Sequence, residues 1–352
     1  MELQTYSTFT MGVLALVVLA ALTLPFLIHK IEEELEIFLL VCGVTAVSIS
    51  GLWSGHLIEE GLKEPLTITA AVLVLGVLFK QFGAYLAHAI HWLEEKTGPR
   101  VLLFSAVLIL GLTSSIITAI VAALAAAEIV KLLDLEARLK TKLTVYICFA
   151  IGLGAVLTPI GEPLSTIIVA KLKDAPYYAD FFFLLKLMGA WILPGILLFA
   201  ILAARLGKGK KLTQPVQENS RGETYKTILM RAGKVYLFVA ALIWLGEGLK
   251  PLAAQTITKL SKYALYWINS LSAVLDNATL ASIEIMPALG QETLVFLTMS
   301  LILAGGLLIP GNIPNIICAS KLNIKSKEWA REALPVGIVL MVIYFAIMSM
   351  VL

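Results

Sequence analysis

Long apolar runs set the pattern of the chain. Leu3–Ile28, Val101–Ala127, Thr293–Ser320 and Ala333–Leu352 contain no Asp, Glu, Lys or Arg. Each reaches or exceeds the roughly 20 residues that a helix needs to cross a bilayer. Simple crossings are predicted over 8–29, 36–54, 65–88, 181–204, 235–250 and 334–352. Other apolar stretches are interrupted. Residues 101–133 are too long for one crossing and hold Thr113-Ser114-Ser115 near the middle. Residues 143–173 are cut at Thr158-Pro159-Ile160-Gly161-Glu162-Pro163, and 293–321 at Ile309-Pro310-Gly311-Asn312-Ile313-Pro314-Asn315. Two prolines around a glycine stop a helix, because each proline lacks an N–H and clashes with the preceding turn. Backbone groups freed in lipid need protein or a wet cavity to satisfy them, so such breaks point inward. Residues 264–290 hold Leu275-Asp276-Asn277-Ala278 between two short arms. Arms of about a dozen residues reach only about 18 Å and do not span. The reading is a re-entrant hairpin tipped by Asp276-Asn277, with 101–133 as its counterpart tipped by Ser114-Ser115.

The order crossing, surface helix, hairpin, broken helix, crossing then occurs twice. Lys80–Gly98 and Lys250–Ser270 are the mixed polar segments that precede the hairpins, and such helices lie at the interface. Aligned at an offset of 150, residues 152–173 and 302–323 share Leu153/Leu303, Leu157/Leu307, Gly161/Gly311, Ile167/Ile317, Lys171/Lys321 and Leu172/Leu322. The expected organisation is N-terminal scaffold helices over 1–64, a first repeat over 65–204 and a cytoplasmic linker over 205–234. A second repeat follows over 235–352. With the linker inside, the inner loops carry 18 Lys and Arg and the outer segments 6, as the positive-inside rule requires. Eight crossings and two hairpins result, with both termini outside. The repeats are inverted, the plan of a secondary transporter with its site at the midplane.

Composition supports a membrane protein. Hydrophobic residues make up 59% of the 352 and charged residues 14%, with a mean hydropathy of +0.91. Soluble proteins have about 45–50% and about 25%. A disordered chain, a nucleic-acid module and a secreted disulfide scaffold are excluded. The net charge of +3 identifies no partner. Cys42, Cys148 and Cys318 lack metal or redox spacing and read as small buried hydrophobes. The first segment has no positive n-region and is expected to stay as a membrane helix.

Glu162 is the leading candidate for chemistry. A carboxylate at mid-membrane depth costs about 2.5–3.5 kcal/mol even on mild insertion scales, so it is usually functional. Thr158 and the carbonyls of Pro159 and Ile160 beside it supply oxygens that suit a hard cation. Asp276 is the second carboxylate, flanked by Asn277 and Thr279. Its bland alternative is a helix cap. Ser114, Ser115 and Thr118 at the first tip, and Asn312 and Asn315 at the second break, are neutral donors near half-helix ends. For the hydroxyls, bonding back to the preceding turn is the competing role. Glu284 has no partner nearby in sequence and ranks third, as a candidate proton relay. Glu128 with Lys131, and Glu247 with Lys250, read as local pairs. His88, His91, Glu94 and Glu95 read as solvated interfacial residues rather than a metal site. There is no GxSxG, Walker A or HExxH motif, so the chain is not expected to be an enzyme or an ATP-driven pump.

VLTPIGEPLSTIIVAKL (156–172) resembles the Ser/Thr-Pro-Ile-Gly-acid motif of NhaD-type sodium/proton antiporters. SAVLDNATLASIEI (272–285) is similar to their Asp-Asn hairpin motif. Both lie within the wider ion-transporter superfamily, and overall length and order look closest to a prokaryotic branch of cation transporters of unknown function. The resemblance implies an all-α, inverted-repeat transporter with two re-entrant hairpins and two broken helices, commonly a homodimer. It places Glu162 and Asp276 on the family's acidic positions. Those antiporters often carry Asp-Asn at the first tip, where this chain has Ser114-Ser115. They often carry Ser or Thr in the second broken helix, where this chain has Asn312 and Asn315. The expected function is Na⁺/H⁺ antiport in the cytoplasmic membrane, with no resident cofactor. Na⁺ and H⁺ are the cargo, with Na⁺ held at Glu162 and Asp276 together with Gly161, Thr158 and the neutral residues above. A Na⁺- or proton-coupled carrier of arsenite or carboxylates is the alternative.

Overall fold

The computed structural model describes residues 6–28, 30–31, 34–207, 212, 224–257, 260–274 and 277–352. Its regular elements are all helices. They are α1 (Thr8–Leu27), α2 (Leu35–Ser50), α3 (Gly55–Thr97), α4 (Pro99–Ile117), α5 (Ala119–Leu132), α6 (Ala137–Ala155), α7 (Pro163–Lys171) and α8 (Phe183–Leu206). The second half continues with α9 (Tyr225–Ile257), α10 (Lys262–Ile268), a 3₁₀ turn at Asn269–Ala273, α11 (Asn277–Glu284) and α12 (Gln291–Gly305). A 3₁₀ turn at Ile309–Gly311, α13 (Ile313–Leu322) and α14 (Ser326–Val351) complete it. Six helices among the described residues are long and apolar enough to cross a membrane: α1, α3, α4, α8, α9 and α14. They expose large apolar side chains such as Leu16, Val74, Leu197 and Val339, the surface a lipid bilayer would cover. This is an α-helical membrane protein.

The core lies around α6 and α12. Every residue from Leu143 to Ala155 and from Leu294 to Gly305 is buried. A helix apolar on all faces belongs in the centre, enclosed by others. α4 and α8 flank α6, while α10 and α14 flank α12. α5 packs on α13, and α11 packs on α7. Each short helix of one half thus leans on the second segment of the other half's interrupted helix. α2, α3 and α9 form a separate flank, on which α5 and α11 rest through α3 and α9 respectively.

Several boundaries differ from the sequence reading. α3 runs 43 residues without a stop, about 65 Å at 1.5 Å per residue. The change to mixed polarity near Lys80 was expected to separate a crossing from a surface helix. Polarity alone does not end a helix, and this one ends where Gly98 and Pro99 change the backbone. Likewise α9 begins at Tyr225, inside the expected linker, and continues through Pro251 to Ile257. The first turn lies at Thr118, not at Ser114-Ser115. The hydroxyls of Thr113, Ser114 and Ser115 bond back to Ile109, Gly111 and Leu112 carbonyls at 2.7, 2.7 and 3.0 Å, so the polar trio stays helical. α4, at 19 residues, is long enough to cross; α10 and α11, at 7 and 8, are not.

Two polar expectations are also corrected. Glu128 pairs with Lys321 of α13, whose side chain is fully buried, rather than only with its neighbour on α5. Glu94 is buried and accepts the backbone N–H of Leu212, so it anchors part of the linker instead of facing solvent. Glu247 and Lys250 do pair locally. The three cysteines are free and buried.

Candidate functional site at the two helix breaks

The two interrupted helices stop and restart alike. After α6 ends at Ala155, Val156 holds φ −70°, ψ −16°; after α12 ends at Gly305, Gly306 holds φ −77°, ψ −16°. Glu162 precedes α7 at φ −159°, ψ 163°, and Asn312 precedes α13 at φ −156°, ψ 147°. Glu162 and Asn312 are 150 positions apart, as are Gly161 and Gly311. Pro163 and Pro314 occupy the first turns of the restarting helices, where a missing N–H is tolerated. The glycines are required by close approach. A Cβ on Gly161 would stand 1.8 Å from the Ala155 carbonyl oxygen, and one on Gly311 would stand 2.5 Å from that of Gly305.

A serine ties the preceding segment to each interrupted helix. Ser114 Oγ donates to the Ile151 carbonyl at 3.1 Å and Ser272 Oγ to that of Leu301 at 3.2 Å. Ile151 and Leu301 again stand 150 apart. At the first break, Thr158 Oγ1 donates to the Ser115 carbonyl, and the Ala119 N–H donates to the Gly161 carbonyl at 2.9 Å. Ser165 Oγ donates to the Glu162 carbonyl at 2.7 Å and Thr166 Oγ1 to the Pro159 carbonyl at 2.6 Å. At the second break one side chain does most of this work. Asn315 Nδ2 donates to the carbonyls of Gly305 and Leu308 at 2.8 and 2.9 Å.

Thr118 joins α4 to α5 at φ 72°, ψ 151°, a conformation that a β-branched residue rarely adopts. Strain of that kind costs on the order of 1–3 kcal/mol and persists only where its surroundings impose it. Here its hydroxyl accepts the Val121 N–H at 3.4 Å and the next N–H is held by Gly161. The strained residue therefore sits against the first break.

Glu162 is only 6% exposed, and its carboxylate makes no capping hydrogen bond to α7. It stands at the electropositive N-terminus of that helix, where a negative group is favoured. The amide of Asn312 reaches towards α6: its Nδ2 lies 3.2 Å from where a Cβ of Gly152 would be. The second break thereby touches the first interrupted helix. Asn277 Nδ2 lies 3.6 Å from the corresponding point of Gly305 and has no hydrogen-bond partner among the described residues; neither has Asn315 Oδ1. Buried amide groups without partners are unusual and need a reason.

Of the residues singled out from sequence, Ser114, Ser115, Thr118, Thr158, Gly161 and Glu162 gather at the first break. Asn277, Asn312 and Asn315 gather at the second. Ser115 contributes its carbonyl, since its hydroxyl bonds back to Leu112. Asp276 and the side chain of Thr279 lie outside the described residues. Glu284 is buried and accepts from Asn269. The sequence reading passed over Ser165, Thr166, Asn269, Ser272 and Ser300. The first four lie in or beside the quoted motifs, as the pair Ser165-Thr166 in the first and as Asn269 and Ser272 around the start of the second.

A family model matches residues 10–351, and its description is a protein of unknown function, DUF1646. The chain belongs to this family. No curated protein matches it.

Proposed function

We propose that this member of the DUF1646 family is a secondary active transporter, a Na⁺/H⁺ antiporter of the cytoplasmic membrane, rather than an enzyme. The observation that carries the reading is a buried carboxylate, Glu162, on an unwound segment whose backbone recurs 150 residues later. An ionisable side chain is rare at such a place unless it handles an ion.

The paired breaks, the paired serine ties and the reciprocal packing of α5 on α13 and α11 on α7 support two related halves. Opposite orientation of those halves follows from the loop charges, which favour the linker side as the inside. In this reading α4–α5 and α10–α11 are the two hairpins, and alternating access moves them with the broken helices against α2, α3 and α9. Glu162 holds either a proton or Na⁺. Thr158, backbone carbonyls of the first break and amide oxygens of the second complete the coordination that a hard cation takes from oxygen. Asp276, which precedes α11 in the sequence, is the second carboxylate of this reading. Because one carboxylate does not hold both ions at once, uptake of one requires release of the other. Net charge movement would couple exchange to the membrane potential at about 2.3 kcal/mol per charge per 100 mV.

The test is proton flux in proteoliposomes of the purified chain, driven by Na⁺ gradients and screened against Li⁺, K⁺ and Ca²⁺. Wild-type protein is expected to exchange Na⁺ for H⁺ and Glu162→Gln to lose the exchange. Normal exchange in the variant would refute the assignment. One observation favours a second reading. Asn312 puts a neutral amide at the N-terminus of α13, a place suited to an anion. Arsenite or carboxylate uptake that depends on Na⁺, with no Na⁺-driven proton flux, would select that anion carrier.

A further inference from the structure

Another buried carboxylate, Glu284, lies at the end of α11 opposite Asn277. Asn269 in the 3₁₀ turn, Glu284 at the end of α11 and Ser300 in α12 are 0%, 2% and 0% exposed. Asn269 Nδ2 donates to Glu284 Oε2 and to Ser300 Oγ, both at 2.9 Å. The Ser300 hydroxyl in turn donates to the Leu297 carbonyl at 2.9 Å. Both amide protons are thus committed, one of them to a carboxylate. Glu284 Oε1 and Asn269 Oδ1 remain buried with no hydrogen-bond partner among the described residues. An ionised carboxylate held in apolar surroundings by one neutral donor is expensive, and nothing in helix packing requires a glutamate there.

Among the described residues no ion pair relieves it. α11 packs on α7, α9, α12 and the 3₁₀ turn. Lys171 on α7, Lys226, Arg231, Lys234, Glu247 and Lys250 on α9, and Glu292 on α12 are the charged groups on those helices. Glu247 pairs with Lys250 and Glu292 with Lys262, while Arg231 lies in the field of Glu128. Among the described residues the Asn269 amide is the polar group that acts on the Glu284 carboxylate, and no charged side chain contributes.

We propose that Glu284, with Asn269 and Ser300, is a second proton-binding site, separate from the cation site at the breaks. The two protonation states call for opposite faces of the same amide. With Glu284 ionised, Nδ2 faces the carboxylate, the arrangement described above. When a proton from water binds Oε2, the carboxyl becomes a donor. The Asn269 amide then turns over so that Oδ1 accepts from it, and the Ser300 hydroxyl swings from the Leu297 carbonyl to the same Oδ1. Side-chain amides present a donor and an acceptor at nearly the same positions, so the turn needs little space. The site's role in transport rests on the antiport reading, whereas proton binding itself does not.

Infrared difference spectra of the purified protein across a pH titration read protonated carboxyl groups directly. The wild type and Glu162→Gln are expected to show a buried carboxylic C=O band that Glu284→Gln lacks. Asn269→Leu is expected to keep the band and move its midpoint up by about one pH unit, because the hydrogen bond lost from the carboxylate is worth more than the one lost from the neutral carboxyl. It also serves should Glu284→Gln not fold. Full retention of the titrating band in Glu284→Gln, or an unmoved midpoint in Asn269→Leu, overturns the proposal. If the wild type shows the band and its expected dependence but no Na⁺-driven proton flux, the antiport reading fails and the proton site stands.

Discussion

The two helix breaks share a backbone and differ in what surrounds it. At the first, Ile160 is 54% exposed beside the buried Glu162. At the second, Ile309 to Asn312 are all buried. The difference traces to the N-terminal helices. Ala21 and Pro25 of α1 and Leu35 of α2 form one wall of a cleft whose other wall is Leu308, Ile309 and Pro310. Pro310 on that wall is the counterpart, at the 150-residue offset, of the exposed Ile160. The enclosure differs at the rim and not at the polar heads, since Glu162 and Asn312 are 6% and 7% exposed. Equal geometry and equal burial with unequal chemistry are a reason to assign the ion exchange to Glu162, the ionisable head, and a stabilising role to Asn312, whose amide needs only hydrogen bonds.

The sharpest way to break this comparison is to remove each polar head in turn. Glu162→Gln is expected to abolish Na⁺-driven proton flux. Asn312→Ala is expected to lower it only about tenfold, the effect of one hydrogen bond. Flux in matched proteoliposomes decides, and a larger loss in Asn312→Ala would place the chemistry at the second break.

The ends of α7 and α13 carry the next contrast. Lys171 and Lys321 are equivalent at the 150-residue offset, yet only Lys321 is fully buried, against Glu128. Removing one partner of a buried pair leaves the other charge stranded, at about 3–5 kcal/mol. Lys321→Met should therefore destabilise by about that much. Lys171→Met, at a partly exposed site, should cost less than about 1 kcal/mol. Denaturation of the detergent-purified variants measures both, and equal losses would remove the asymmetry.

The glycines come third. The added methyl of Gly161→Ala meets a backbone oxygen at 1.8 Å, and that of Gly311→Ala meets one at 2.5 Å. Neither oxygen can move without shifting the helix end. Overpacking costs about 1–3 kcal/mol, so both variants should melt earlier, Gly161→Ala more so. The reverse order would show that the first break has room to adjust.

What the sequence revealed and what it hid divide along physical lines. The breaks were readable because proline and glycine act on their own backbone. Pro159-Ile160-Gly161-Glu162-Pro163 stops α6 and starts α7 whatever surrounds it, and the membrane character follows from composition, though not the count: eight crossings are expected and six helices among the described residues are long enough. Thr118 was picked for its hydroxyl, but its positive φ is set by contacts with the first break, and no local signal marks it. The partner of Glu128 lies on α13, far along the chain, so the nearest lysine was the natural guess. Glu284 stood out as a lone carboxylate, whereas Asn269 and Ser300 did not, since a single Asn or Ser in an apolar helix is commonplace. The continuity of α3 is not legible in the sequence because its change in polarity near Lys80 marks no change in backbone.

The smallest expected effects test the relation between the halves most directly. Ser114 and Ser272 each donate across to an interrupted helix, at 3.1 and 3.2 Å, onto carbonyls 150 positions apart. Both hydroxyls are fully buried. Ser114 also bonds within its own turn at 2.7 Å, so its hydroxyl is shared between two carbonyls. Each Ser→Ala change removes a donor and leaves a buried carbonyl one partner short. A net loss of about 1 kcal/mol is expected in each, slightly less at Ser114 if sharing weakens its cross-helix bond. The sites lie in different halves, so the double variant should lose the sum. Chemical denaturation resolves differences of that size when the slope is unchanged. A loss at one serine and none at the other would mean that the matching distances are coincidence, and the two halves would have to be argued separately.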